Sequence, residues 1–337
     1  ASGWPNTSKP SMEKELNEEV LLPTDTFASE IDSGLSGSPK AISSRYFYDA
    51  EGDRLFQKIM QLDEYYLSRA EYAIFDQNKE LLLQHFADHE RAFHMMEFGA
   101  GDGWKTKVLL RHFIEQHAKF DYRPIDISGN VLQELESSLQ TELPALQVQG
   151  MEGEYFQVLN QMQKTDGQRK VVLFLGSNIG NFRQQQAISF LSSLRASLNK
   201  SDMVLIGFDM KKDPHVIRKA YDDAQGVTRD FNMNLLRRLN TEMGANFKLA
   251  KFKHYQSYDP QSGECKSYLI SLEEQQVTIQ ASEAVYYFKK WEPIHVEISR
   301  KFDFETINEL AASSGFSVVK NLQDTDEYFT DSLWVAT

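Results

Sequence analysis

Apolar and polar positions along the chain switch between a period of two and a helical period, and the switches predict most of the elements. Residues 93–98 form a short apolar run of strand character, and Val108, Leu109 and Phe113 then recur on one helical face. Residues 122–128 read as a second strand with Asp126 at its end, residues 129–142 as a helix, and residues 146–149 as a third strand. The apolar run 171–175 has the character of a central parallel strand, and 203–208 predicts a fifth, ending in Asp209. Upstream, helical periodicity covers 53–60 and 69–86, with a loop at 36–40 and a polar stretch, 1 to about 28, that reads as a mobile arm. Downstream of residue 211 the segment to about 244 is helical with a break at Gly226. Period-two stretches then follow at 252–255, 268–272, 277–281, 285–288 and 295–298, an antiparallel insertion. A helix at 304–314, closed by Gly315, and strands at 316–321 and 332–336 complete the pattern. The expectation is an α/β fold, a Rossmann-like sheet of seven strands interrupted by a second, α+β domain. That domain is drawn from 29–68 and 212–300, and the sheet domain from 69–211 and 301–337.

The first strand runs into Gly99-Ala100-Gly101-Asp102-Gly103 and then into a helix. Strand, glycine turn and helix together bring backbone N–H groups and a helix N-terminus close to a ligand. A dinucleotide fingerprint needs a third glycine where Trp104 stands. Glu97 precedes the turn, giving the acid-x-Gly-x-Gly order of S-adenosylmethionine (SAM) sites, where the carboxylate helps hold the ammonium of the amino-acid tail. A tight turn without a ligand fits the same residues. Asp126, at the end of the second strand, is placed to accept ribose hydroxyls. After the third strand Glu154, preferred to Glu152, is placed for the adenine amino group. Asn178 and Asn181 follow the central strand, where substrates approach open α/β sheets; an asparagine there offers donor and acceptor, and can equally cap the next helix.

Charge narrows the partners. The net charge of −13 over 337 residues lacks the basic footprint of nucleic-acid binding and offers nothing to an anionic membrane. No apolar run approaches the roughly 20 residues of a membrane span. The single cysteine, Cys265, suits a reducing, cytoplasmic setting and excludes an internal disulfide. Residues 1–11 lack an apolar core and read as an added remnant or processed tail before Met12. The spacing of His85 and His89 lacks the glutamate of a zinc-protease motif, so the pair reads as surface residues and no metal is expected.

From about Arg45 onward the chain resembles the EgtD-like histidine Nα-methyltransferases of ergothioneine biosynthesis. The most specific stretches are FYDAEGDRLFQKIMQLDEYYLSRAE, LFLGSNIGNF, the run from FDMKKDP through AYDDAQGVTRDFNMNLL, and HVEISRKF. The resemblance implies a class I methyltransferase domain with an added substrate domain, and stepwise transfer of three methyl groups from SAM to the amine of histidine, giving the betaine hercynine. It implies that Asn181 orients the amino-acid head group, that Tyr221 holds the carboxylate, and that Tyr48 and Tyr65 line the reacting end. It implies further that Glu297 and Ser299 grip the imidazole, and that Gly99, Lys105, Asp126 and Glu154 serve the cofactor, Glu154 standing where the family has aspartate. By residue type alone, the tyrosines fit half-buried packing positions and Glu297 and Ser299 fit one face of a strand. Ser267 stands where the resemblance implies a methionine, which keeps a tryptophan derivative or another amino acid open as acceptor. A SAM-binding protein without catalysis is a further reading; the sequence leaves oligomeric state open.

Overall fold

The computed structural model of the protein describes residues 26–87, 91–162 and 167–337. Most of the expected arm, and His89, lie outside the described residues. Helix α1 (Thr26–Ser36) opens the described chain, followed by strand β1 (Lys40–Ala41), a 3₁₀ turn at Ser44–Phe47, and helices α2 (Ala50–Met60) and α3 (Leu67–Ala87). Next come β2 (Phe93–Phe98), α4 (Thr106–Glu115), β3 (Phe120–Asp126), α5 (Gly129–Glu142), β4 (Met151–Glu152) and α6 (Tyr155–Met162). Then follow β5 (Arg169–Phe174), a 3₁₀ turn at Asn178–Asn181, α7 (Gln184–Ala196) and β6 (Met203–Asp209). Helices α8 (Pro214–Tyr221) and α9 (Val227–Met243) precede β7 (Phe252–Asp259), β8 (Glu264–Ser271), β9 (Gln275–Ile279), β10 (Ala284–Phe288) and β11 (Pro293–Arg300). Helix α10 (Phe304–Ser314) and strands β12 (Phe316–Gln323) and β13 (Phe329–Ala336) close the chain.

The main sheet has seven strands in the order β12-β13-β6-β5-β2-β3-β4. β6, β5, β2, β3 and β4 are parallel, and β13 runs antiparallel to both its neighbours. This is the class I methyltransferase sheet. Its central strands need apolar side chains on both faces: all residues of β2 and β6 are buried. The insertion forms the antiparallel strands β11-β8-β7 and the ribbon β10-β9, and β1 of the N-terminal segment adds to β11 in parallel, making the second sheet β1-β11-β8-β7. Packing of α2 on α9 joins the N-terminal segment to that insertion.

Local signals explain the boundaries. The Asp49 carboxylate accepts the Gly52 N–H at 2.7 Å and starts α2, and Asp303 caps α10 through the Thr306 N–H at 2.9 Å. Three expectations need correction. Residues 26–28, placed in the arm, begin α1 instead. The third strand is not 146–149: Val148 makes only an isolated bridge to Tyr122, and the pairing moves to Met151 and Glu152 beside Ile125 and Asp126. The alternation at 146–149 fits a strand but cannot reveal which residues reach β3. Neither asparagine caps α7, because Arg183 occupies that position.

Candidate active site

The glycine turn lies at the carboxyl end of β2. Gly99 and Gly101 have φ of 64° and 55°, left-handed values that side chains with a Cβ rarely adopt. A Cβ on Gly101 would meet nothing within 4 Å, so the backbone angle, not crowding, requires glycine and the turn is open above. This opening is part of a cavity of about 480 Å³ between the strand ends of the main sheet and the insertion.

Several separate parts of the chain build its walls. Glu97, Gly99, Gly101 and Lys105 come from β2 and the turn, and Asn181 from the 3₁₀ turn after β5. Tyr48 and Tyr65 come from the two ends of the α2 segment, Tyr221 from the last turn of α8, and Glu297 and Ser299 from β11. Gly180 makes the junction possible: a Cβ there would stand 2.8 Å from the Arg300 carbonyl oxygen, so only glycine lets β11 dock on that turn. Two expected residues do not line the cavity. Asp126 stands at its edge, accepting N–H bonds from Ser128 at 3.0 Å and, longer, from Gly101 at 3.5 Å. The Glu154 side chain is 65% exposed and lies 3.9 Å from the Arg45 guanidinium.

The electrostatics follow from burial. Glu97 is buried, and burial pushes its carboxyl up to about 7, even though the Tyr122 hydroxyl and the Thr106 hydroxyl, at 2.8 Å, donate to it. Burial likewise raises Glu297 to about 7, opposed by the positive charge of Lys301 and by the Ser267 hydroxyl across the β11–β8 register. Tyr65 is buried and raised well above 10, and Tyr48, although its side chain is open to the cavity, is raised in the same direction by the protein around it, so both keep their protons through the neutral range. The ammonium of Lys105 is ion-paired with Glu71 of α3, whose carboxylate also accepts the Gly176 N–H at 3.0 Å.

Two lining residues, Phe56 and Phe231, and one residue behind the wall, Glu71, escaped the sequence reading. Phe56 and Phe231 link the tyrosines into a chain of edge contacts: Tyr48–Phe231 at 5.7 Å, Tyr48–Phe56 at 5.8 Å, Phe56–Tyr65 at 6.3 Å and Tyr65–Tyr221 at 6.3 Å between ring centroids. Both phenylalanines had the spacing of ordinary core residues. Glu71 had one available signal: Gly207 interrupts the apolar run of β6, and a side chain there would collide with the Glu71 carboxylate. Among the described residues no group of three or more His, Cys, Asp or Glu could hold a metal ion, and no helix is long and apolar enough to cross a membrane.

Comparison with known proteins gives the arrangement its context. Residues 27–336 match the family described as histidine-specific, SAM-dependent methyltransferases. The histidine N-alpha-methyltransferase of Mycolicibacterium smegmatis is 31% identical over 287 residues, covering 85% of this chain and 87% of the relative. That of Mycobacterium tuberculosis is 29% identical over 291 residues, covering 86% and 89%. Ergothioneine biosynthesis protein 1 of Schizosaccharomyces pombe is 29% identical over 290 residues, covering 84% of this chain and 37% of that longer protein. A family match across nearly the whole described chain, on the class I sheet, is decisive: the protein belongs to the histidine-specific, SAM-dependent methyltransferases.

Proposed function

We propose that the protein transfers methyl groups from SAM to the α-amine of L-histidine, three in succession, giving the betaine hercynine, and that it does so in the cytoplasm. The observation that carries this reading is the meeting of an aromatic wall, a half-buried carboxylate and a pair of hydroxyls opposite the glycine turn.

The residues suit the donor. The open glycine turn admits its amino-acid tail against backbone N–H groups, Glu97 stands beneath as a partner for an ammonium, and Asp126 at the cavity's edge can accept ribose hydroxyls. SAM supplies a methyl group on a sulfonium, already bearing a good leaving group, so the protein has mainly to align the amine and keep water out.

On the acceptor side, Asn181 orients the head group with its amide, and Tyr221 donates to the carboxylate. Glu297, ionised above about pH 7, accepts the imidazole N–H, and Ser299 donates to the other ring nitrogen. Tyr48 and Tyr65, protonated, accept the amine N–H at their phenol oxygens and aim its lone pair without becoming bases. The amine must arrive neutral, and the proton left on nitrogen after the first and second transfers goes to solvent before the next. Each added methyl replaces an N–H bond, and the aromatic chain from Tyr48 to Tyr221 takes over, since ring faces attract quaternary ammonium.

Incubating the protein with SAM and histidine and weighing the product by mass spectrometry tests the proposal. A gain of three methyl groups on the α-nitrogen is expected. No transfer to histidine, with turnover of another amino acid, would overturn it.

A further inference from the structure

Behind the cavity wall sits a cation that none of these steps uses. Lys301 directly follows β11, and its side chain is wholly buried. Its ammonium nitrogen lies 2.6 Å from the Tyr221 hydroxyl, 2.9 Å from Ser299 Oγ and 2.8 Å from Asp209 Oδ2. An ammonium has three protons and no lone pair, so these three bonds satisfy it and each hydroxyl oxygen receives a proton from it. Tyr221 and Ser299 stand 3.0 Å apart, and only one hydroxyl proton can occupy the line between them. The other must point elsewhere, and both residues line the cavity.

We propose that Lys301 is a positioning residue: by filling acceptor sites on Tyr221 and Ser299 it makes them hydrogen-bond donors, so this wall reads a carboxylate oxygen or a ring-nitrogen lone pair. The inference rests on the function proposed above. It also ties acceptor recognition to the main sheet, because Asp209 ends β6, and the backbone repeats the link through the Phe302 N–H and the Asp209 carbonyl at 2.9 Å. Burial would favour a neutral amine, but Asp209 outweighs it and keeps Lys301 charged.

A second consequence concerns Glu297. Lys301 is the charged group that opposes the effect of burial on it. Tyr48, Tyr65, Tyr221 and Cys265 also face Glu297, and burial raises each of them, so they remain protonated near neutrality. Without Lys301, Glu297 would ionise only at higher pH.

The test compares wild type with Lys301→Met and with Lys301→Gln; in both, Asp209 keeps the ammonium of Lys212 as its buried ion partner. Titration calorimetry measures SAM binding, and initial rates measure kcat and KM for histidine across the neutral range. SAM affinity should stay within about twofold, whereas KM for histidine should rise about tenfold, the equivalent of one lost charged hydrogen bond. The acid limb of kcat/KM should move to higher pH. An unchanged KM and limb in a folded variant would overturn the inference, as would parallel losses of SAM and histidine affinity, which a purely structural lysine would produce. If wild type methylates another amino acid instead, the function proposed above fails, and the same KM comparison with that acceptor decides Lys301.

Discussion

Both carboxylate oxygens of Glu71 lie 3.0 Å from the amide nitrogen of Gly176. The same carboxylate is ion-paired with Lys105, so one buried acid on α3 ties the turn after β2 to the loop after β5. Lys105 is thereby anchored by the protein itself. Glu71→Gln removes the charge and leaves Lys105 without its ion partner, and breaking a buried pair costs roughly 3–5 kcal/mol. The variant should melt at lower temperature and bind SAM more weakly. Thermal denaturation with titration calorimetry checks both; full SAM affinity in a folded variant would free the two turns from Glu71.

Asp331 of β13 is the contrasting case. Burial and the neighbouring Glu71 push its carboxyl well above the usual carboxylate range, toward the neutral form. Asp331→Asn matches that neutral state in shape. It should fold with unchanged or higher stability once the pH is above the ordinary carboxylate range, where the raised carboxyl of wild type works against folding. A large loss of stability in denaturant titrations would show that the ionised form matters.

Glu97 links stability to pH in a stated direction. Its folded value, about 7, lies above its ordinary 4.5. The folded state therefore holds a proton that the unfolded chain releases, and this contribution is present below pH 4.5 and lost as pH rises through about 7. Relative to wild type, Glu97→Gln should gain on the order of 3 kcal/mol across that window. Urea unfolding at several pH values measures it. SAM binding near neutral pH should also release protons, because an ammonium beside Glu97 favours its charged form; calorimetry in buffers of different ionisation enthalpy detects them.

Gly180 sets the approach of β11 to the main sheet. With the Arg300 carbonyl oxygen 2.8 Å from where a Cβ would stand, Gly180→Ala must separate the strand from the turn that carries Asn181. Misplacement on the scale of an ångström costs about 100-fold in rate. The loss should fall on kcat/KM for histidine, with SAM binding retained. Equal loss of both would point to general unfolding instead.

Phe231 touches Tyr48 and Phe56 by its ring edge or face. Phe231→Leu keeps an apolar side chain and removes the π-face, a change of about 0.5–2 kcal/mol at a cationic centre. The first methyl transfer should be little affected and the last slowed, so that mass spectra show accumulated mono- and dimethylated product. A uniform slowing of all three steps would remove the aromatic wall from the account.

The order of strands and helices was written in the chain, because burial on one face or both leaves a period that local residues alone determine. So were the glycine turn and, through the resemblance, the short motifs bearing Tyr48, Asn181, Tyr221, Glu297 and Ser299, which the structure brings round one cavity. The third strand was misread because which residues pair with β3 depends on a neighbouring strand, not on local alternation. Only the tertiary structure decided the partners of buried charges. Glu71, Lys105 and Asp331 lie far apart along the chain, as do Asp209 and Lys301, and their residue types look like ordinary surface positions until folding removes the water around them. Once that water is gone, an ionised group must find an opposite charge, share a proton or be pushed to neutrality, and which of these happens depends on distances that no one-dimensional pattern contains.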